Sequence, residues 1–475
     1  MKEPPLIIDL DGTLLRTDLL METALVFVHE QPHRLLVPLQ WLARGKASLK
    51  HELTNATDID VAILPYDASV LEFLERERKR GRTTVLATAS HHLLADQVAT
   101  HLGLFDHVIA TDGARNLSSH TKRDVLVEYF GERGFDYAGN SRDDLPVWEV
   151  AREAYVVNAS RSVERRARAL GNVAAVIGSP QATLRDWAKA LRLHQWLKNL
   201  LIFVPLLAAH QYTNWSSFLE ALTAFFAFGL CASSVYILND LLDLNDDRRH
   251  VRKRSRPFAS GQLPIRSGLI AFPLLLVIAF GLGTSLLPIS FTLGLSCYYA
   301  LTLAYSLWLK RRMVIDVMAL AALYTLRIIV GAIALGIALS FWLLAFSMFL
   351  FLSLALVKRY AELFHVRTQS ANNNKAHGRG YFAADLPMIA SLGAASGYMA
   401  VMVLALYVND AQTAQLYRHQ QIIWFACPLM LTWISRVWML AHRGVMDEDP
   451  VIFAVRDRPS LVVGALIALV FLAAT

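Results

Sequence analysis

Nine apolar runs govern what this chain can fold into. They lie near residues 197–212, 216–239, 267–287, 289–309, 313–337, 341–363, 387–408, 420–440 and 459–475. Each approaches the roughly 20 residues a helix needs to cross the hydrocarbon of a bilayer. Hydrocarbon offers the backbone no hydrogen bonds, so such runs must be helices that satisfy their own amides. An all-α bundle of nine transmembrane helices is therefore expected over residues 193–475. Bases gather in alternate connections: Arg185, Lys189, Arg192 and Lys198; then Arg248 to Arg266; then Lys310, Arg311 and Arg312; then Lys358, Arg359, Arg367, Lys375 and Arg379; then Arg443, Arg456 and Arg458. The connections near 213, 288, 339 and 414 carry almost none, Arg418 excepted. This alternation places the basic loops, and everything ahead of the first run, on the cytosolic side. The net charge of +7 is thus accounted for by membrane topology, and no nucleic-acid partner is expected. Cys231, Cys297 and Cys427 fall inside the runs, with neither metal-ligand nor disulfide spacing.

Residues 1–178 read differently. Leu6-Ile7-Ile8 is a buried-strand signal ending in Asp9-Leu10-Asp11-Gly12-Thr13. Alternating aspartates at the carboxyl end of a strand point into the crevice where open α/β sheets bind ligands. A second strand, Thr83 to Ala87, ends in Thr88. Lys122 precedes a helical pattern, and Tyr137-Ala138 leads into Gly139-Asn140-Ser141-Arg142-Asp143-Asp144. The stretch from about 18 to 67 looks helical, and 179–192 reads as a linker or interfacial segment. No signal peptide is expected, because the chain runs straight into the first strand.

Between the second and third apolar runs the sequence turns abruptly acidic, then basic, as YILNDLLDLNDDRRHVRKRSRPFASG. On a helix, Asn239, Asp243 and Asp247 stand four apart and Asp240 three before Asp243, so one face would carry several hard oxygen donors. Such a cluster repels itself unless a cation joins it, and Mg²⁺ shared with substrate phosphates suits these ligands.

The four motifs of residues 1–160 resemble the haloacid dehalogenase (HAD) phosphohydrolase superfamily, implying a Rossmann-like domain with a small helical cap. The resemblance implies Asp9 as nucleophile and Asp11 as general acid and base. It implies Thr88 and Lys122 as phosphoryl-binding groups, and Asp9, Asp11, Asn140 and Asp144 around Mg²⁺. The family usually has an acid where this chain has Asn140, which removes one negative charge from the site. Residues 183–475 resemble the UbiA superfamily of intramembrane prenyltransferases. The motifs Gln195-Trp196-Leu197-Lys198-Asn199, Lys253-Arg254-Ser255-Arg256-Pro257 and Tyr305 through Lys310, with Asp316 and Arg327, resemble its decaprenyl-phosphate phosphoribosyltransferase branch. Where aromatic prenyltransferases carry a second acidic cluster, this chain has Lys358-Arg359-Tyr360-Ala361-Glu362. Bases there suit direct grip on phosphate oxygens.

The resemblance implies transfer of a phosphoribosyl group from phosphoribosyl pyrophosphate to a polyprenyl phosphate. Asn239, Asp240, Asp243 and Asp247 would hold Mg²⁺, with Lys198, Arg254, Tyr305, Lys310, Lys358, Arg359 and Glu362 as substrate contacts. The HAD domain would then dephosphorylate the product. An alternative is a prenyltransferase moving a polyprenyl group from its diphosphate to an aromatic or polar acceptor. A transporter fits less well, because the acids cluster at one boundary instead of the midplane.

Overall fold

The computed structural model describes residues 3–112, 116–178, 182–369, 380–410, 416–446 and 449–475. The chain divides into two compact units, residues 1–191 with 236–273, and residues 192–235 with 274–475. The Asp-rich segment therefore belongs to the same unit as the N-terminal residues.

The first unit is built on six parallel strands, β1 (Leu6–Ile8), β2 (Thr84–His91), β3 (His107–Thr111), β4 (Asp136–Gly139), β5 (Ala154–Val157) and β6 (Val173–Ile177), in the order β3-β2-β1-β4-β5-β6. Alternation along β1 feeds two cores. Leu6 and Ile8 join Leu10, Leu14, Leu86 and Ala138 on one face, while Ile7 joins Val85, Tyr137, Val147 and Trp148 on the other. A strand buried on both faces reads as an unbroken apolar run, which is what Leu6-Ile7-Ile8 is. From β1 the chain winds outward through β2 to β3, then crosses back to place β4 on the other side of β1, so the winding reverses between β1 and β4 and the crevice for a ligand opens at their carboxyl ends. An insert after β1 carries α1 (Leu19–Glu30), α2 (Val37–Ala43) and α3 (Lys46–Ala56) before α4 (Ala68–Lys79) resumes the sheet crossings. Asp18 caps α1 and Asp67 caps α4 through their side chains, each accepting from first-turn amides.

The second unit is helical. Six helices of the described chain are long and apolar enough to cross a membrane, including Trp215–Leu242, Ile315–Ala334 and Phe341–Thr368. The count reaches seven if Pro450–Arg456 and Arg458–Ala474, bent by 82° at their junction, form one span. Nine runs were expected, and the difference has physical causes. Leu193–Phe203 is a 3₁₀ stretch followed by the short helix Val204–Ala208, whose first turn carries Pro205. Ile289–Leu307 is helical, but serine, threonine and tyrosine recur along it and dilute its hydropathy. Small residues bring backbones together in this unit. A Cβ on Gly331 would lie 2.3 Å from the Ile202 carbonyl oxygen, an approach typical of packed membrane helices.

Candidate functional sites

Asp9 follows β1 and donates its amide to the Ala138 carbonyl on β4 at 3.0 Å, which puts its carboxylate at the crevice between the two strands. Lys122, from the first turn of α5 (His120–Phe130), donates to Asp9 Oδ1 at 2.7 Å and to the Tyr137 hydroxyl oxygen at 2.9 Å. The same ammonium stands 3.6 Å from Asp144 Oδ1. Tyr137 in turn donates to Asp144 Oδ1 at 2.7 Å, while the other Asp144 oxygen accepts from the amides of Asn140 and Ser141 and the Ser141 hydroxyl. All four side chains are buried. Burial pushes the Asp9 carboxyl up, against the pull of Lys122, and pushes the Tyr137 phenol up as well. Sequence reading missed Tyr137 as a member. Its signal was an aromatic hydroxyl on a strand that is otherwise fully buried, which must find a polar partner.

Asp11 is held from two sides, by the Leu19 amide at 2.8 Å and the Ser90 hydroxyl at 2.5 Å. Burial raises it to about 6, with repulsion from Asp18 adding and the Ser90 bond opposing. Thr88 is fully buried and its hydroxyl oxygen accepts from the Ser90 amide at 3.0 Å. Gly12 has φ +74°, a conformation that favours glycine. A Cβ there would fall 2.0 Å from Asn140 Nδ2, so the Asn140 amide lies directly on the loop that carries Asp9 and Asp11. Its oxygen, with the Asp9 carboxylate, is a chemically suitable donor set for Mg²⁺. The structure therefore brings Asp9, Asp11, Thr88, Lys122, Asn140 and Asp144 together around one strand-end crevice.

The second acidic group also lies in this unit. Asn239 and Asp240 close the helix Trp215–Leu242, Asp243 sits at the break, and Asp247 lies on the short helix Leu244–Arg249. The array is thus split across two helices, although the Asp243 amide still reaches the Asn239 carbonyl (2.9 Å) and the Asp247 amide the Asp243 carbonyl (2.8 Å). Asp240 and Asp247 are buried, and one Arg256 nitrogen, Nη1, bridges them at 3.0 and 2.6 Å. Among the described residues, no three histidine, cysteine or acidic side chains are gathered as a ready cage for a metal. One feature nevertheless fits a cation. Asp247 Oδ1 is buried without a hydrogen-bond partner, and the Lys253 ammonium stands 3.9 Å from it. Burial raises Asp247 to about 6, opposed by Arg256 and reinforced by Asp240. An orphaned carboxylate oxygen in a desolvated acidic pair is a natural ligand for Mg²⁺. Next to it, Arg248 grips Glu22 of α1 with two nitrogens, at 2.6 and 3.1 Å, while the Thr17 hydroxyl also donates to Glu22. Arg254, on the following turn, is exposed.

In the second unit the expected bases fall into two groups. Lys198 and Lys358 converge on Asp449 Oδ2, at 2.6 and 3.2 Å, and the Tyr324 hydroxyl donates to the same carboxylate. Nearby, the Arg327 guanidinium donates to Asn199 Oδ1 at 3.0 Å and to the Tyr298 hydroxyl oxygen at 3.1 Å. The other group is centred on Arg359, which donates to Asp316 at 2.5 Å, to Glu362 at 2.5 Å and to the Tyr305 hydroxyl oxygen at 2.8 Å. Arg359 is only 1% exposed. Its donors are directed into this internal network, whereas the neighbouring Lys358 is half-exposed. Lys310 is half-buried on the turn Leu309–Arg311. Lys375 and Arg379 lie outside the described residues. Asp449 was not singled out from sequence, although Asp-Pro at the start of an apolar run is a helix-start signature.

Comparison with known proteins follows the same division. Residues 200–455 match the family model of UbiA prenyltransferases, and residues 6–149 that of haloacid dehalogenase-like hydrolases. An uncharacterized protein of Sinorhizobium fredii, y4nM, is 39% identical over 99% of this chain and 91% of its own length. The nodulation protein NoeC of Azorhizobium caulinodans is 38% identical over 60% of this chain and 92% of its own. A decaprenyl-phosphate phosphoribosyltransferase of Mycolicibacterium smegmatis is 30% identical over 59% of this chain and 89% of its own.

Proposed function

Since the chain belongs to the UbiA prenyltransferase family and carries a haloacid dehalogenase-like hydrolase domain ahead of it, we propose that it is a two-step enzyme acting on a polyprenyl phosphate. The membrane part transfers a phosphoribosyl group from phosphoribosyl pyrophosphate, and the hydrolase domain removes the 5-phosphate from the lipid product. The observation that carries the first step is the pair of lysines, Lys198 and Lys358, meeting at Asp449, in a region where acceptor-prenylating relatives would need a second acidic cluster. Resemblance to a decaprenyl-phosphate phosphoribosyltransferase supports the same substrates. The sequence pattern supports nine crossings with the N-terminal domain in the cytosol.

Asn239, Asp240, Asp243 and Asp247 are the residues suited to hold Mg²⁺, which would supply charge neutralisation for the departing pyrophosphate. The lipid phosphate oxygen attacks the ribose anomeric carbon as the bond from that carbon to pyrophosphate breaks. Lys198 and Lys358 orient the attacking phosphate, exchanging their contact with Asp449 for contact with the ligand. Positioning and electrostatics dominate such a transfer, and no covalent protein intermediate is required.

In the second step an Asp9 oxygen attacks the 5-phosphorus, and the bond from phosphorus to the ribose O5 breaks. Asp11, whose carboxyl holds a proton up to about pH 6, delivers that proton to the leaving alkoxide. It then takes a proton from the water that hydrolyses the aspartyl phosphate. Lys122 balances Asp9 and the incoming phosphoryl charge, with Tyr137 fixing its position.

The transfer is tested by supplying the membrane-extracted protein with Mg²⁺, radiolabelled phosphoribosyl pyrophosphate and a short polyprenyl phosphate. Label entering the lipid phase, and failing to do so in Asp243→Ala, is expected. Activity instead from a polyprenyl diphosphate and a phenolic acceptor would replace this reading with aromatic prenylation.

A further inference from the structure

The insert that carries α1, α2 and α3 presents an apolar surface to solvent. Leu35, Leu36, Leu39 and Leu42 are 54%, 69%, 61% and 44% exposed. Their spacing, with successive steps of one, three and three, places them along one side of α2 and the turn before it. Trp41 fixes that side outward by packing its ring edge-on against Phe27 of α1, at 5.2 Å. Four large exposed leucines on so short a segment are unusual for a surface with no partner.

Charge identifies the partner. Between Glu30 and Glu52 the sequence has no acid, while Arg34, Arg44 and Lys46 flank the leucines and are exposed. An apolar stripe rimmed by bases suits the interface of an anionic bilayer, where leucines enter the acyl boundary and bases meet lipid phosphates. Location agrees. Glu22 of α1 is clamped by Arg248, just past the end of the spanning helix Trp215–Leu242, in a pair that is 1% and 3% exposed. Within the first unit, α1 is therefore tied to a membrane boundary, and α2 follows it in the chain.

We propose that α2 and its preceding turn form an interfacial anchor, seating the insert of the hydrolase domain in the anionic leaflet that carries its substrate. The Leu19 amide at the start of α1 holds Asp11, so the anchored element and the catalytic loop are connected through one helix. The anchor presents the strand-end crevice to a phosphomonoester borne on a lipid and costs nothing for a soluble one. This part of the proposal rests on the phosphatase reading above; the membrane contact itself does not.

The test uses the full chain, with Cys231, Cys297 and Cys427 replaced by serine and Leu36→Cys carrying an environment-sensitive fluorophore, in nanodiscs of phosphatidylglycerol and phosphatidylcholine. Quenching by brominated acyl chains, with protection from aqueous iodide, is the expected result. A label quenched by iodide overturns the proposal. So does a label shielded from iodide yet untouched by brominated lipid, since protein, such as a second copy of the chain, would then cover the leucines. A second variant, Leu36→Glu with Leu39→Glu, should retain hydrolysis of p-nitrophenyl phosphate, showing an intact fold, while hydrolysis of a lipid-borne phosphomonoester falls about tenfold. Equal loss on both substrates overturns the anchor. Absence of hydrolysis on either substrate by the unsubstituted protein would instead defeat the phosphatase reading, leaving the quenching result to decide the anchor.

Discussion

The Asp9 loop and the Asp240–Asp247 segment both lie in the first unit and both bury carboxylates, Asp9 in the one and Asp240 and Asp247 in the other, yet they balance charge in opposite ways. Around Asp9 the cation is built in, since Lys122 is buried between Asp9 and Asp144 and is fixed by Tyr137. Around Asp247 a single Arg256, itself more than a quarter exposed, is shared between two carboxylates, and one oxygen is left over. A site with an internal lysine is organised before any ligand arrives. A site with an orphaned carboxylate oxygen is completed by its ligand. The first arrangement suits repeated covalent chemistry on one phosphate, and the second suits capture of a metal-bound diphosphate that later departs.

The largest effects should separate the two sites. Asp9→Asn is expected to lower phosphomonoester hydrolysis on the order of a thousandfold or more while label transfer to lipid persists. Asp243→Ala should lower transfer by at least about a hundredfold while hydrolysis of a soluble phosphomonoester persists. Parallel assays on each variant check this, and joint loss in either would merge what the comparison divides. Lys122→Met should next destabilise the first unit by about 3–5 kcal/mol, because it strands two buried carboxylates. Hydrogen exchange at β1 and β4 amides reads that loss, and Mg²⁺ should not restore it fully. Arg256→Met should cost less, about 1.5–3 kcal/mol, and here Mg²⁺ should restore protection, since a cation can replace the guanidinium.

The proton balance of Asp247 gives a milder effect. Its carboxyl is raised from 3.8 to about 6, so the native metal-free chain holds a proton that the unfolded chain has released. Its contribution to stability therefore declines as pH rises from about 4 to 6. Below pH 6 the same proton competes with Mg²⁺, so the Mg²⁺ concentration for half-maximal transfer should rise by up to about tenfold per pH unit. A half-saturation that is flat between pH 5 and 7 would remove Asp247 from the metal. Smallest of all, Arg254→Ala should shift transfer by about 1 kcal/mol or less, as befits an exposed base; kinetics across salt concentrations would show it.

Much of this arrangement was legible in the sequence. Strand-end aspartates, an apolar β1 and a run of hydrophobic segments each follow from local periodicity, and the structure places all six residues of the Asp9 group at one crevice. What escaped depends on partners distant in sequence. Tyr137 acquires its role only when β4 sits beside β1, and Glu22 only when Arg248 reaches it across 226 positions. The same holds for Asp449, which receives Lys198 and Lys358 from two other helices. The helical face drawn through Asn239, Asp243 and Asp247 is interrupted by the break at Asp243, which hydropathy cannot reveal because the same mixture of leucines and polar residues continues on both sides of it. Arg359 was read as a phosphate-gripping base beside Lys358; only packing against Asp316 and Tyr305 distinguishes the two neighbours.

The most direct test of two sequential sites is a product analysis with doubly labelled phosphoribosyl pyrophosphate, carrying one isotope in the ribose carbons and another in the 5-phosphate. The full chain, in lipid with Mg²⁺ and a polyprenyl phosphate, should place ribose label in the lipid phase and release the phosphate label to water. Asp9→Asn should leave both labels together on the lipid. If the unsubstituted chain and Asp9→Asn give the same lipid, with the same ratio of the two labels, the coupled account is wrong.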